Sequence, residues 1–143
     1  MNVFGAPTMK LRILVADDNV SFLRKMAALL EVEFEIVAAV ADGYSAVESA
    51  QSYQPDIIVL DLEMPKLNGI DVIRKLATLP TNPRAIICSV ETDPEIVEAA
   101  LQAGAHGYVF KYRIETDLVP AVKSVANGER FVSPDEHRPS ATA

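Results

Sequence analysis

The sequence predicts an α/β protein: a doubly wound sheet of five parallel strands, with five helices covering its two faces. Short apolar runs alternate five times with longer segments of helical periodicity, and this alternation is typical of parallel sheets with right-handed crossovers. The run Ile57-Ile58-Val59-Leu60 is apolar at every position, which is typical of a strand that is buried on both faces. A carboxylate, Asp61, follows this run, at the end of the strand where open α/β sheets bind their ligands.

Two strand–helix units and a third strand are predicted in the first half of the chain. Asn19 can cap the first helix, because its side-chain oxygen can accept a hydrogen bond from an unpaired N–H of the first turn. Asp42-Gly43 ends the second strand, and Gln54-Pro55-Asp56 ends the second helix. The predicted elements are a strand over 11–16, a helix through 22–30, a strand over 34–41, a helix over 44–53 and the strand over 57–60.

A third helix and two more strand–helix units are predicted in the second half. Pro94 fits the first position of a helix, and Gly128 fits the position just after one. If Thr116 caps the last helix, Pro120 falls at the end of its first turn, where it removes one backbone donor and should distort the start slightly. The predicted elements are a helix through 70–79, a strand over 85–90, a helix from 94 to about 103, a strand over 107–111 and a helix over 116–127.

The length of 143 residues is typical of one domain. We expect that domain to cover residues 10–128. Residues 1–9 contain Gly5 and Pro7, and we expect them to form a flexible tail. Residues 129–143 are polar and contain two prolines, and we expect them to be mostly disordered.

The composition argues against several classes of function. The net charge is −7 and there is no basic stripe, so we expect no direct binding of this chain to nucleic acid. The apolar runs are all shorter than the roughly 18 residues of a membrane span, so we expect no membrane insertion. The first residues lack the pattern of a signal peptide, and the single cysteine, Cys88, cannot form an internal disulfide. We therefore expect a cytoplasmic protein.

Polar side chains end four of the predicted strands: Asp17 and Asp18 the first, Asp61 the third, Ser89 the fourth and Lys111 the fifth. If the strand order is the flavodoxin-like 2-1-3-4-5, these four strands are neighbours and their ends share one crevice. Three carboxylates so close together repel one another, and a hard divalent cation such as Mg²⁺ would relieve that repulsion.

This set of residues suits phosphoryl transfer. The carboxylate of Asp61 is ionised at neutral pH, so it could attack phosphorus without a general base and form an acyl phosphate. Mg²⁺, the Lys111 ammonium and the Ser89 hydroxyl could each stabilise one oxygen of the transferring group. A simpler reading of Asp61, considered alone, is that it caps the next helix.

Five motifs together resemble the receiver domain of bacterial response regulators. They are Asp17-Asp18, Asp61-Leu62-Glu63-Met64-Pro65 with Asn68-Gly69 following, Cys88-Ser89-Val90, the run from Ala103 to Tyr108, and Lys111. The match covers about residues 10–127, and residues 107–134 resemble the NarL/FixJ type. One feature departs from the family pattern, because Tyr112 stands where many receivers have proline.

The resemblance implies a role for each matching residue. Asp61 would be the phosphoacceptor, and Lys111 would pair with it or with its phosphate. Ser89 and Tyr108 would form the switch, the hydroxyl moving onto the phosphoryl group while the aromatic ring rotates inward; Tyr108 could also be a core residue. The resemblance implies a set of Mg²⁺ ligands made of Asp17, Asp18, Asp61 and the backbone carbonyl of Glu63, with Asp18 more suited than Asp17 to direct contact.

The implied function is that of a two-component receiver, which takes a phosphoryl group from a histidine kinase or phosphotransfer protein and signals by conformational switching. The chain would not be an enzyme, apart from catalysing its own phosphorylation and the slow hydrolysis of the product. The formation of a homodimer is left open by the sequence. We expect either a single-domain receiver or the receiver part of a NarL/FixJ-like transcription regulator.

Three alternatives stay open at the level of sequence. A receiver could act by protein contact without phosphorylation. A phosphatase of the haloacid-dehalogenase type would also use a strand-end aspartate, but it would need a second aspartate where Glu63 stands. A flavodoxin-like carrier of FMN would need a phosphate-binding loop after the first strand, where Asp17-Asp18 would repel a phosphate.

Overall fold

A parallel sheet of six strands forms the centre of the molecule. The computed structural model describes residues 10–135. Its strands are β1 (Arg12–Ala16), β2 (Glu35–Val40), β3 (Ile57–Leu60), β4 (Arg84–Ser89), β5 (Gly107–Phe110) and β6 (Phe131–Val132). Its helices are α1 (Val20–Glu31), α2 (Gly43–Tyr53), α3 (Gly69–Leu76), α4 (Pro94–Gln102) and α5 (Ile114–Ala126), and a single 3₁₀ turn (Lys111–Arg113) joins β5 to α5.

The strand order is β2-β1-β3-β4-β5-β6, and every neighbouring pair is parallel. The predicted doubly wound fold with order 2-1-3-4-5 and five helices is therefore confirmed, with one strand added at the edge. Because all the strands run the same way, their carboxyl ends lie along one edge of the sheet, as the prediction of a shared crevice requires.

Two apolar layers cover the sheet, since successive side chains of a strand point to opposite faces. Leu14 and Ala16 of β1 pack in the layer under α2, α3 and α4. Ile13 and Val15 of the same strand pack in the layer under α1 and α5. All of β3 is buried, as its unbroken apolar run predicts for a central strand. No helix of the described residues is long and apolar enough to cross a membrane.

Polar side chains cap four of the helices at their first residues. The predicted cap Asn19 accepts a hydrogen bond from the N–H of Phe22 at 3.0 Å, and Asp42, Asn68 and Asp93 cap α2, α3 and α4 in the same way. Pro94 occupies the first turn of α4, where its missing N–H costs no hydrogen bond.

The start of α5 differs from the prediction. The helix begins at Ile114, directly after the 3₁₀ turn, and Pro120 lies inside it. Thr116 is not the cap, because its hydroxyl donates back to the carbonyl of Arg113 at 3.1 Å. The chain enters a 3₁₀ turn directly after β5, so the helix starts at Ile114, two residues before the predicted start at Thr116.

The segment after α5 also differs from the prediction. The sequence predicts five strands and a mostly disordered tail from residue 129, but Phe131 and Val132 form β6, paired with Gly107 and Tyr108 of β5. A strand of two residues has no periodicity that a sequence could reveal. The expectations for residues 1–9 and 136–143 lie outside the described residues.

Ser133 holds the segment around β6 against the rest of the domain through hydrogen bonds. Its hydroxyl donates to Asp117 Oδ2 at 2.6 Å and accepts from the N–H of Phe110 at 3.1 Å. Its own N–H donates to the carbonyl of Tyr108 at 2.9 Å. Burial opposes the charge of Asp117, but hydrogen bonds from Arg113 and Ser133 outweigh it and lower the pKa of the carboxyl.

Replacing this hydroxyl should weaken the fold. Ser133→Ala leaves the buried N–H of Phe110 without its acceptor and removes one donor from Asp117, and an unsatisfied buried group costs about 1–3 kcal/mol. We expect the free energy of unfolding, measured by urea denaturation, to fall by about that amount. Ser52→Ala, at an exposed position of α2, should change it by less than about 0.5 kcal/mol. Equal effects of the two substitutions would contradict this account.

His106 makes a second polar contact between strands, at the opposite end of the sheet from the strand-end carboxylates. Its Nδ1 accepts from the backbone N–H of Ala85 at 3.2 Å, so the neutral ring carries its proton on Nε2. Burial, together with the positive charges of Arg84 and Arg130, lowers the pKa of His106. The folded state therefore favours the neutral ring.

Stability should consequently depend on pH through His106. Because its pKa is lowered on folding, its contribution is complete above about pH 6.5, the ordinary value for histidine, and is lost as the pH falls below that. We expect the free energy of unfolding to fall between about pH 7.5 and about pH 5.5, and to fall less in His106→Gln. The measurement is urea denaturation across this range, and identical pH profiles for the two proteins would exclude the role.

Candidate functional site

An open cleft lies at the carboxyl edge of the sheet, where four adjacent strands end. Asp17 follows β1, Asp61 follows β3, Ser89 is the last residue of β4 and Lys111 follows β5. The cleft has a volume of about 760 Å³. Its lining includes Asp18, Asp61, Glu63, Ser89 and Lys111.

The Lys111 ammonium lies between two carboxylates. Its Nζ is 2.8 Å from Asp17 Oδ2 and 3.4 Å from Asp61 Oδ2. Asp17 is fully buried, whereas 13% of the Lys111 side chain is exposed. The other carboxylate oxygen of Asp17 accepts from the N–H of Asn19 at 2.9 Å, so the turn that begins α1 orients this carboxylate toward the lysine.

The charges in the cleft shift the pKa values of its residues. Burial raises the pKa of Asp61 and the charge of Asp17 adds to this effect, while Lys111 opposes both. Burial disfavours the charged form of Lys111, but the hydrogen bond to Asp17 and the charge of Asp61 outweigh it, and the pKa of the ammonium is raised. The lysine is therefore held in its charged form.

Three carboxylates in the cleft form a candidate cation site. Ligand oxygens of Asp17, Asp18 and Asp61 all lie within 4.8 Å of one another, and Asp18 is exposed to solvent. Asp17 Oδ2 is buried and lies 2.8 Å from the Lys111 ammonium. One ammonium does not balance three carboxylates, so the remaining negative charge and the hard oxygen ligands fit a divalent cation such as Mg²⁺.

Backbone contacts fix Asp61 in place. Its N–H donates to the carbonyl of Ala16 at 3.0 Å, and the N–H of Glu63 lies within hydrogen-bonding reach of its carboxylate. Gly69 packs against the carbonyl of Asp61 so closely that a Cβ there would lie 2.5 Å from that oxygen. Gly69 stands in a motif that carries the family resemblance, but the sequence alone does not show this contact, because close backbone packing follows from the tertiary structure.

Ser89 and Tyr108 both make hydrogen bonds to Glu91, in the loop after β4. The Ser89 hydroxyl accepts from the N–H of Glu91 at 3.1 Å, and the Tyr108 hydroxyl donates to the carbonyl of Glu91 at 2.8 Å. Tyr108 is fully buried, and its ring packs edge-on against Phe110. Burial raises the pKa of Tyr108 to about 12, although the nearby Ser89 hydroxyl opposes the shift.

The structure thus brings most of the sequence-predicted residues together. The acidic residues and the lysine form one cluster, and Ser89 and Glu63 line the same cleft. Tyr108 lies in the core beside this cleft, joined to it through the hydrogen bonds of Glu91. Its buried ring fits both readings of this residue, as a core side chain and as part of a switch.

Comparison with known proteins identifies related sequences and folds. The model of the response regulator receiver domain matches residues 13–123. The transcriptional regulatory protein DegU of Brevibacillus brevis is 36% identical over 127 residues, which are 87% of this chain and 54% of DegU. This chain therefore spans about half the length of that relative.

Two solved structures are similar to this fold. The signal receiver domain of the response regulator NarL from Mycobacterium tuberculosis has a TM-score of 0.82 at 31% identity, covering 85% of this chain and all of that one. The complex of CheX with CheY, BeF₃ and Mg²⁺ from Borrelia burgdorferi contains a chain with a TM-score of 0.77 at 27% identity, covering 82% of this chain and 90% of that one.

Magnesium should stabilise this protein through Asp18. At a Mg²⁺ concentration of 100 times Kd, binding to the folded state alone adds about 2.7 kcal/mol to the free energy of unfolding. Asp18→Asn should lose most of this gain, yet it should be more stable than the parent without Mg²⁺, since it removes one of three repelling charges. Thermal unfolding with and without MgCl₂ measures both effects.

The matched control is Glu48→Gln, which removes one negative charge from an exposed position of α2. It should gain as much from Mg²⁺ as the parent does. If Asp18→Asn also kept the full gain, the cation would not bind at the three carboxylates.

Proposed function

Because this chain belongs to the response-regulator receiver family and is of the NarL type, we propose that it accepts a phosphoryl group on Asp61 from a histidine kinase or a phosphotransfer protein. The observation that carries the proposal is the Lys111 ammonium, 2.8 Å from Asp17 and 3.4 Å from Asp61. This lysine keeps Asp61 beside a fixed positive charge in an open cleft, where a phosphoryl donor can reach it.

Phosphoryl transfer in this cleft needs a nucleophile and compensation of charge. An oxygen of Asp61 forms a bond to phosphorus while the bond from phosphorus to the donor nitrogen breaks, and the donor histidine keeps that electron pair. Lys111 is already in contact with the attacking carboxylate, and its positive charge would stabilise the negative charge on the phosphoryl oxygens. Asp17, 2.8 Å from the ammonium, holds it beside Asp61.

Magnesium is the cofactor that we propose for this site. Asp17, Asp18, Asp61 and the backbone carbonyl of Glu63 would hold the ion, and a similar chain has been solved in a complex that contains BeF₃ and Mg²⁺. When bound, Mg²⁺ supplies positive charge to the oxygens of the transferring group. Asp18 is the exposed carboxylate of the three, so it is the ligand that incoming ions meet first.

Ser89 and Tyr108 would transmit the phosphorylation state of Asp61 to the rest of the domain. A phosphoryl group on Asp61 offers oxygens that the Ser89 hydroxyl can bind, at the expense of its hydrogen bond with the N–H of Glu91. The same loop residue receives the hydrogen bond of Tyr108, so a shift of the loop would reach the buried ring. Phosphorylation would then change the populations of two existing states of the domain.

The wider setting of the protein follows from this role. We propose a cytoplasmic regulator whose chemistry is limited to its own phosphorylation and slow dephosphorylation. Its partners would be proteins, including a second copy of this chain in a homodimer. This chain itself would not bind DNA. Its relatives are transcription regulators, so an output on transcription is proposed, either through a further domain or through a partner.

Intact mass spectrometry after incubation with Mg²⁺ and acetyl phosphate tests the proposal. The parent should gain the mass of one phosphoryl group, and hydroxylamine should remove it, because an acyl phosphate is labile to this nucleophile. Asp61→Asn should gain nothing, since an amide cannot form the acyl phosphate. Omission of Mg²⁺ with EDTA present should slow the parent's reaction by at least about tenfold.

The controls separate this function from its rivals. Asp56→Asn alters a carboxylate at the other end of β3 and should be phosphorylated as the parent is. A gain in Asp61→Asn would move the acceptor to another residue. No gain in the parent, with acetyl phosphate and with a panel of phosphorylated histidine kinases, would instead indicate a receiver that acts by protein contact alone.

A further inference from the structure

The Lys111 ammonium has a third neighbour, the aromatic ring of Phe22. Its Nζ lies 4.4 Å from the centroid of this ring, in addition to its contacts with Asp17 and Asp61. Phe22 belongs to the first turn of α1, whose cap is Asn19. This contact was not anticipated from the sequence, because Phe22 stands in a helical pattern typical of core residues.

Phe22 contributes less to the core than its helical pattern suggests. The residues of α1 that are buried in the core are Leu23, Met26 and Leu30, whereas Phe22 is only partly buried. Its ring packs against the edge of the core layer under α1 and α5 and also contacts the lysine. Leu23, Met26 and Leu30 anchor the helix, and Phe22 has a second contact that those residues lack.

An aromatic ring suits this place for a chemical reason. The face of the ring attracts a cation, and the attraction grows when the cation is shielded from water, as Lys111 is with 13% of its side chain exposed. The ring is at most a weak acceptor, so the three N–H donors of the ammonium stay available for carboxylate or phosphoryl oxygens. A carboxylate or amide at this position would compete for one of those donors.

The long lysine side chain needs such restraint. Its four-carbon stem has many rotamers, and the ammonium lies 3.4 Å from Asp61, farther than its 2.8 Å from Asp17. We infer that Phe22 is a positioning residue for phosphoryl transfer: its ring keeps the Lys111 ammonium beside Asp61 without using the donors that meet the phosphoryl group. This inference rests on the proposed function.

The test compares Phe22→Leu, which keeps apolar volume but lacks the ring, with Phe22→Tyr, which keeps the ring. With acetyl phosphate, an oxygen of Asp61 bonds to phosphorus while the bond from phosphorus to the acetyl oxygen breaks, releasing acetate. We expect the rate constant of this reaction, followed by intact mass, to fall about threefold to tenfold in Phe22→Leu. It should stay within about twofold of the parent's in Phe22→Tyr.

A second measurement reports on the lysine and needs neither Mg²⁺ nor a phosphoryl donor. In the parent and in Phe22→Tyr, the ε-methylene protons of Lys111 should be shifted upfield by the ring and resolved as two signals, because the side chain is held. In Phe22→Leu they should merge near the values of a mobile lysine. Leu29→Ala controls for weakened packing of the same helix: it should lower stability and leave both the rate and the lysine signals unchanged.

Each outcome has one meaning. Three results would overturn the inference, provided that the parent is phosphorylated. They are a rate constant in Phe22→Leu equal to the parent's, equal losses of the rate constant in Phe22→Leu and Phe22→Tyr, and Lys111 signals of a mobile side chain in the parent. In those cases phosphorylation of Asp61 itself stands. A parent that takes up no phosphoryl group overturns the proposed function and, with it, the role of Phe22.

Discussion

The Lys111 ammonium allows two carboxylates to share one shielded site. Asp17 is fully buried and Asp61 nearly so, and burial disfavours the charged form of each. With Nζ within 2.8 and 3.4 Å of the two carboxylates, the cation offsets that cost and fixes their relative position. The rest of the site depends on this arrangement. The candidate cation site combines the exposed carboxylate of Asp18 with the two carboxylates that Lys111 already holds beside the open cleft.

The sheet makes this interaction possible. Asp17, Asp61 and Lys111 are far apart in the chain, but the strands before them, β1, β3 and β5, lie within four consecutive strands of the sheet, in the order β1-β3-β4-β5. The parallel direction puts all their ends at one edge. Close backbone packing then sets the detail, as where Gly69 lies against the Asp61 carbonyl without room for a side chain.

Strand β5 links this site to the segment that contains β6 and Ser133. Tyr108 donates through its hydroxyl to Glu91, in the loop beside Ser89, and accepts through its carbonyl from the N–H of Ser133. Ser133 also accepts from the N–H of Phe110, directly before Lys111. This strand of four residues therefore contains the buried ring of Tyr108, ends directly before Lys111 and binds the segment that contains Ser133.

The sequence by itself determined the alternation of strands and helices and the identity of the residues at the strand ends, because buried parallel strands are continuous apolar runs and polar side chains follow them. The order 2-1-3-4-5 was a condition of the predicted crevice, and the strand pairing confirmed it. The first helix cap, Asn19, followed from local chemistry in the same way. Only the tertiary structure decided the features that depend on distant partners. The pairing of β6 with β5 and the contact of the Phe22 ring with Lys111 each join segments remote in sequence, and neither periodicity nor propensity records such contacts.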